Sequence, residues 1–225
     1  MTSKIYKNKI KCAVFDLDGT LLNTIKTINY YLNTALRSFG LGEINEEDCM
    51  SFVGDGAVML VRRALNKLDE GNEETFDRVY KEYNRLYDAD PYYLTEPYEG
   101  VTELLRELRD SGFAIGVLSN KPDFATRAAV EHFFGDIFSF VAGGRAGIPL
   151  KPAPDALLSL LNDAGFSADE TVYIGDSDQD ILTGRNAGVT GTISVCWGFR
   201  SADHLASSGA ECLVYSADEI KDMIT

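Results

Sequence analysis

Short apolar runs alternate along most of the chain with longer segments in which apolar residues recur at helical spacing. The runs at 12–15, 114–118, 138–142, 172–174 and 193–196, with a weaker one at 212–214, are typical of strands buried on both faces. Segments between them, such as 99–111, have the spacing of helices, and Ser216 with Glu219 predicts a capping box on the last one. This alternation predicts an α/β fold with a doubly wound, Rossmann-like parallel sheet.

The stretch 23–91 interrupts this alternation, because it contains no convincing strand and three amphipathic helical patterns. Their apolar positions are Ile25, Ile28, Leu32, Ala35, Leu36 and Phe39, then Val58, Val61, Leu65 and Leu68, and then Phe76, Val79, Tyr83, Leu86 and Tyr87. We therefore expect residues 1–22 and 92–225 to form an α/β core domain. Residues 23–91 are expected to form a helical domain inserted after the first strand.

Composition excludes several classes of function. The formal net charge of −14 repels nucleic acid, so no nucleic-acid partner is expected. The four cysteines are scattered without a CxxC pair, which argues against zinc and dithiol redox chemistry. No apolar run approaches the roughly 20 residues of a membrane span, and the polar N-terminus does not resemble a signal peptide. These features predict a cytoplasmic protein without a membrane partner.

Two carboxylates follow the first apolar run, at Asp16 and Asp18, and precede Gly19 and Thr20. Side chains two apart on an extended chain point the same way, so both aspartates are expected at one site at the carboxyl end of a strand. Open α/β sheets bind ligands at that end. Two such close charges need a counter-charge, which Mg²⁺ supplies because it prefers oxygen ligands. The alternative is an ordinary turn with two solvated aspartates.

Three further strand ends carry polar groups. Asp176 and Asp180 follow the run at 172–174, where they could share one metal site or could simply favour a helix start. Ser119 and Asn120 follow the run at 114–118 and suit either an anion or an N-cap. Lys151 precedes a proline-led helix and could bind a phosphate or be merely solvated.

Taken together, these four segments resemble the four motifs of the haloacid dehalogenase superfamily, in the same order, over nearly the whole chain. The resemblance implies a phosphatase with an inserted helical cap domain at 23–91. Asp18 favours phosphate chemistry, because dehalogenases lack a second aspartate at this position. The resemblance implies that Asp16 is the nucleophile and that Asp18 is the general acid and base. It implies that Ser119 and Lys151 bind the phosphate, with Asn120 and Thr20 beside them. The implied Mg²⁺ ligands are Asp16, Asp176 and the backbone carbonyl of Asp18, supported by Ser177 and Asp180.

Two shorter segments resemble phosphoglycolate phosphatases within that superfamily. One contains Gly54, Asp55 and Gly56, whose glycines allow a loop to approach a substrate. The same residues also suit a helix start capped by Asp55, and the pattern does not decide between the two interpretations. The other segment is 197–201. Asn23 departs from the subfamily, in which an aspartate is usual.

The favoured function is the Mg²⁺-dependent hydrolysis of a small phosphorylated metabolite, such as 2-phosphoglycolate, through a phospho-aspartate. A sugar-phosphate mutase of the β-phosphoglucomutase type would use the same two aspartates, and an acidic surface also fits a nucleotide or pyrophosphate phosphatase. A catalytically silent binding protein is the remaining alternative, against which the intact motif set argues. The sequence indicates neither the physiological substrate nor an oligomeric state.

Overall fold

The structure, a computed structural model, describes residues 9–225. The strands are β1 (Cys12–Phe15), β2 (Leu22–Asn23), β3 (Glu96–Pro97), β4 (Ala114–Pro122), β5 (Phe140–Gly144), β6 (Thr171–Gly175), β7 (Gly191–Val195) and β8 (Leu213–Val214). The helices are α1 (Ile25–Ser38), α2 (Glu46–Phe52), α3 (Gly56–Lys67), α4 (Glu73–Ala89), α5 (Val101–Asp110), α6 (Asp123–Phe134), α7 (Asp155–Ala164), α8 (Asp178–Ala187), α9 (Ala202–Ser207) and α10 (Ala217–Ile224), with a 3₁₀ turn at Ala168–Glu170.

Six strands form one parallel sheet in the order β5-β4-β1-β6-β7-β8. The central strand β1 pairs with β4 on one side and with β6 on the other, so Cys12 lies opposite both Ala114 and Thr171. All four residues of β1 are buried, as expected for a parallel strand covered by helices on its faces. This architecture confirms the predicted α/β class and the predicted parallel sheet.

Strand β4 differs from its prediction in a way that affects the site. The apolar run ends at Leu118, yet the extended backbone continues to Pro122 because β4 pairs with β5 again at Gly144. The pairing register shifts between Leu118 and Pro122. Ser119 and Asn120, which were expected to follow the strand, therefore lie within its extended segment.

The chain divides into two compact units, which comprise residues 9–22 with Pro97–Thr225 and, separately, Asn23–Glu96. The predicted start of the core domain falls partly on residues 1–8, which lie outside the described residues. The second unit contains α1 to α4, including the helix α2 that the apolar pattern did not predict. Cys49 is the one buried residue of α2, which explains the weak pattern, and the Asn45 side chain accepts the Asp48 N–H at 2.7 Å to cap it.

The predicted capping box on the last helix is wrong. Ser216 occupies the N-cap of α10 but makes no side-chain cap hydrogen bond. Glu219 instead accepts the N–H of Tyr215 at 3.2 Å, one residue before the position that a capping box requires. Across residues 9–225, no helix is both long and apolar enough to cross a membrane.

Candidate active site

The candidate site is assembled where neighbouring parallel strands end. Asp16 directly follows β1, and Asp176 directly follows β6, its partner in the sheet. Ser119 lies within β4, which flanks β1 on the other side, and Lys151 lies between β5 and α7. Because parallel strands share one carboxyl edge, sequence positions far apart reach one region of the core.

Lys151 connects two of the predicted carboxylates. Its ammonium lies 2.9 Å from Oδ1 of Asp16 and 2.7 Å from Oδ1 of Asp180, and all three side chains are almost fully buried. Burial alone lowers the pKa of Lys151, but the adjacent charges of Asp16 and Asp180 outweigh it and hold this pKa well above its usual value. The ammonium is therefore a permanent positive charge within the site.

The nucleophile predicted from the sequence is itself constrained. Oδ1 of Asp16 accepts the Leu17 N–H at 2.7 Å as well as the Lys151 ammonium, so both donors contact the same oxygen. Burial raises the pKa of Asp16 well above its usual value, and the charges of Asp180 and Asp176 act in the same direction, whereas Lys151 opposes them. One lysine thus leaves this group of carboxylates short of positive charge.

Asp176 is held from two directions. Oδ1 accepts the hydroxyl of Thr20 at 3.2 Å, and Oδ2 accepts the backbone N–H of Phe199 at 2.7 Å. Burial, and next the charge of Asp180, raise the pKa of Asp176 to about 7. The hydroxyl of Thr20 thus supports this carboxylate, and its place beside a phosphate stays a prediction.

Asp180 is fixed by a capping box at the start of α8. Its Oδ2 accepts both the N–H of Ser177 at 3.0 Å and the hydroxyl of Ser177 at 2.6 Å, and the Ser177 side chain accepts the N–H of Asp180 in return. Oδ1 of Asp180 stays directed at Lys151. Ser177 thus holds Asp180, and Asp180 contacts Lys151, while the supporting role of both residues at a metal site stays a prediction.

The carboxylates of Asp16, Asp176 and Asp180 each offer an oxygen within 4.8 Å of the other two. When all three carboxylates are ionised, the ammonium of Lys151 leaves two negative charges in a buried space. A hard divalent cation with oxygen ligands would balance this charge, so the residues present fit such an ion.

Asp18 forms an ion pair that was not predicted. The ammonium of Lys121 lies 3.3 Å from its Oδ1 and 3.5 Å from its Oδ2, and both side chains are largely buried. Alternation along an extended β4 would have placed Lys121 on the same side as Ser119, so the signal was present. The prediction misses it because it ends the strand at Leu118 and interprets the next residues as an anion site or an N-cap.

Asn120 does not point the same way as its neighbours in β4. Its amide bonds to both backbone polar groups of Lys151, accepting the N–H at 2.9 Å and donating to the carbonyl at 3.3 Å. The buried hydroxyl of Ser119 accepts the N–H of Lys121 at 3.2 Å. Asn120 therefore positions Lys151 in this structure.

Two glycines enclose Asp176. Gly19 has a φ of +87°, and a Cβ at Gly19 or at Gly198 would overlap the side chain of Asp176. Trp197, next to Gly198, donates its indole N–H to the carbonyl of Thr20 at 3.0 Å. The segment 197–199 thus holds the β6 carboxylate by backbone contact, a role that its sequence did not indicate.

Gly54, Asp55 and Gly56 belong to the second unit. Gly54 and Gly56 both have positive φ, and α3 begins at Gly56. Asp55 occupies the N-cap but makes no cap hydrogen bond, because its carboxylate pairs with Arg63. The capping interpretation of Asp55 is therefore wrong, whereas the substrate-loop interpretation stays a prediction.

Comparison with known proteins agrees with this geometry. The sequence profile of the family described as "Haloacid dehalogenase-like hydrolase" matches residues 13–193. A phosphoglycolate phosphatase of Vibrio vulnificus is 30% identical over 223 residues, which cover 97% of each chain. Phosphoglycolate phosphatase 1 of Pseudomonas aeruginosa is 31% identical over 219 residues, which cover 95% of this chain and 78% of that one.

A solved structure from Lactobacillus delbrueckii subsp. bulgaricus, described as a candidate phosphoglycolate phosphatase, matches with a TM-score of 0.91 and 33% identity, and covers 95% of this chain and 97% of that chain. The resemblance inferred from the four motifs is thereby confirmed. The chain belongs to the haloacid dehalogenase-like hydrolase family and is a phosphatase.

Proposed function

We propose that this phosphatase is Mg²⁺-dependent and hydrolyses a small phosphomonoester through a phosphorylated Asp16. The observation that carries the proposal is the buried arrangement in which the Lys151 ammonium contacts Asp16 and Asp180 while Asp176 lies within 4.8 Å of both carboxylates. A structural ion pair needs two partners, whereas this group has an excess of negative charge that suits a divalent cation, and that cation together with Lys151 would attract a phosphate.

The proposed ligands of Mg²⁺ are the carboxylates of Asp16 and Asp176 and the backbone carbonyl of Asp18. When bound, the ion neutralises charge on the transferring phosphoryl group and offsets repulsion among the carboxylates. Asp180 already accepts hydrogen bonds from Ser177 at Oδ2 and contacts Lys151 at Oδ1, so we assign it a supporting role.

The chain's own residues account for both chemical steps. In the first, a carboxylate oxygen of Asp16 attacks phosphorus, the bond to the ester oxygen breaks, and protonated Asp18 gives its proton to the departing alkoxide. In the second, Asp18 takes a proton from water, the water oxygen attacks phosphorus, and Asp16 is released with inorganic phosphate. Lys151 and Ser119 hold the phosphate oxygens, and Asn120 positions Lys151 through its backbone.

The proposed substrate is 2-phosphoglycolate or a close analogue. The relatives from Vibrio vulnificus and Pseudomonas aeruginosa, which align with most of this chain, bear the name phosphoglycolate phosphatase. We assign the unit Asn23–Glu96 the role of a cap, inserted between β1 and the remainder of the core. Gly54, Asp55 and Gly56 are the proposed contact of that cap with substrate.

The test is a panel of phosphate esters that includes 2-phosphoglycolate, sugar phosphates, nucleotides and pyrophosphate, assayed with Mg²⁺ and with EDTA. We expect release of phosphate from small esters only with Mg²⁺, and none from Asp16→Ala. A rapid acid quench should trap a hydroxylamine-sensitive acyl phosphate in the wild type. Isomerised sugar phosphate in place of free phosphate, or turnover in Asp16→Ala, would contradict the proposal.

A further inference from the structure

Lys151 and Lys121 each form an ion pair with a different aspartate of the proposed catalytic pair. Lys151 contacts Asp16, the proposed nucleophile, at 2.9 Å. Lys121 contacts Asp18, the proposed acid, at 3.3 Å, with 10% of the lysine side chain and 16% of the aspartate side chain exposed. The site therefore has a second, largely buried cation that the proposed phosphate-binding set does not use.

The position of Asp18 identifies the side of the reaction that Lys121 serves. In phosphoryl transfer the attacking and leaving oxygens lie roughly in line on opposite sides of phosphorus. Asp16 occupies the attacking side in the proposed mechanism, and Asp18 must contact the leaving oxygen in order to protonate it. A cation paired with Asp18 therefore lies on the side of the leaving group.

Distances then restrict what Lys121 can contact. A hydrogen bond from Asp18 to the leaving oxygen spans about 2.7 Å, which places the Lys121 ammonium within about 6 Å of that oxygen. A carboxylate attached one carbon beyond the ester oxygen extends roughly 3 Å further, so a leaving group oriented toward Lys121 can bring it within hydrogen-bonding range of the ammonium. An ammonium has three N–H donors and can serve Asp18 and a second anion together.

We propose that Lys121 is a specificity-determining residue that selects phosphomonoesters whose leaving group carries a negative charge one or two carbons from the ester oxygen. This inference rests on the proposed function, because it uses the assigned roles of Asp16 and Asp18. A leaving group without charge at that position loses the contact with Lys121, and a cationic one is repelled.

The experiment compares two esters of similar size, 2-phosphoglycolate with an anionic leaving group and ethyl phosphate with a neutral one. We expect Lys121→Met to lower the ratio of their kcat/KM values about 10- to 100-fold, the effect of losing one charge-assisted hydrogen bond. Lys121→Arg should restore part of the ratio. Lys221→Met is the matched control, since it removes an exposed lysine paired with Glu107 and should leave the ratio unchanged.

A second measurement needs no variant. The wild-type ratio should exceed tenfold and should fall as KCl is raised from about 0.05 to about 0.5 M, because salt screens the attraction. Equal losses for both esters in Lys121→Met would assign Lys121 only to orienting Asp18 and would overturn the inference, as would a wild type without preference. If the wild type hydrolysed neither ester nor any other, the proposed function itself would fail.

Discussion

The side chain of Asn120 bonds to both backbone polar groups of Lys151, at 2.9 Å from its N–H and 3.3 Å from its carbonyl. The two residues are 31 positions apart, and this pairing ties the end of β4 to the segment that follows β5. The ammonium that contacts Asp16 and Asp180 is thus positioned by an amide that need not touch substrate.

Replacing Asn120 by alanine should therefore impair Lys151 indirectly. We expect kcat/KM to fall about 10- to 100-fold, because a small misplacement of a catalytic group is costly, with a larger share in KM than in kcat. Asn186→Ala is the control. The exposed Asn186 amide donates at 3.0 Å to the carbonyl of Pro152, the residue after Lys151, and its loss should leave activity intact. Equal kinetics for the two variants would refute this positioning role.

Metal-free protein should lose stability as pH rises through neutrality. The pKa of Asp176 is about 7 in the folded protein against 3.8 ordinarily, so the folded state binds more protons than the unfolded state between these values. The stabilisation from this group is complete below about pH 4 and is lost as pH rises through about 7. Between pH 5 and 8 the loss should be on the order of a few kcal/mol.

This pH effect is measured by urea unfolding in EDTA at pH 5 and pH 8 for wild type and Asp176→Asn. The variant should gain in free energy of unfolding relative to wild type at the higher pH, because its amide does not ionise. Saturating Mg²⁺ should suppress the wild-type decline. Parallel pH dependences in the two proteins would show that Asp176 titrates normally.

Removal of the α8 capping box should affect stability and activity together. Ser177→Ala deletes the hydroxyl that caps α8 and that donates to Asp180 at 2.6 Å. We expect a loss of about 1–2 kcal/mol in the free energy of unfolding, and a fall in kcat/KM because Asp180 orients Lys151. Asn72→Ala removes the N-cap of α4, whose side chain accepts the Thr75 N–H, and should cost about 1 kcal/mol without the kinetic loss.

Loss of the proposed acid should depend on the leaving group. Asp18→Asn should lower kcat/KM about 10²- to 10⁴-fold for 2-phosphoglycolate, the usual range for general acid–base help. The first step with p-nitrophenyl phosphate should suffer much less, because p-nitrophenolate leaves without a proton. Asp110→Asn, which removes an exposed carboxylate of α5, serves as the control. A uniform loss across both substrates would argue against an acid role.

Much of the sheet could be predicted because its strands are buried on both faces and read as continuous apolar runs. Asp16 and Asp176 stand out for the same reason, since a carboxylate directly after such a run marks a strand end. The order of strands could not be read in this way. That β1 lies between β4 and β6 follows from pairing between distant segments, which local patterns do not encode.

The contacts of β4 were harder to predict. Its apolar run stops at Leu118, so the prediction ends the strand there. The alternation of an extended strand, which separates the side chains of Asn120 and Lys121, therefore could not be applied to them. The failed capping box at Ser216 has a similar cause. The N–H groups of Tyr215 and Ser216 are one residue apart, and the local backbone decides which of them Glu219 accepts.

Neither glycine beside Asp176 contributes a functional group, yet both positions govern whether that carboxylate can stay in place. A Cβ at Gly198 would overlap the Asp176 side chain and the Gly19 carbonyl oxygen. A Cβ at Gly19 would overlap the carboxylate of Asp176. Saturation mutagenesis selected for activity should accordingly recover glycine alone at 19 and 198. An engineer who wishes to reshape this enzyme has to leave those two codons untouched.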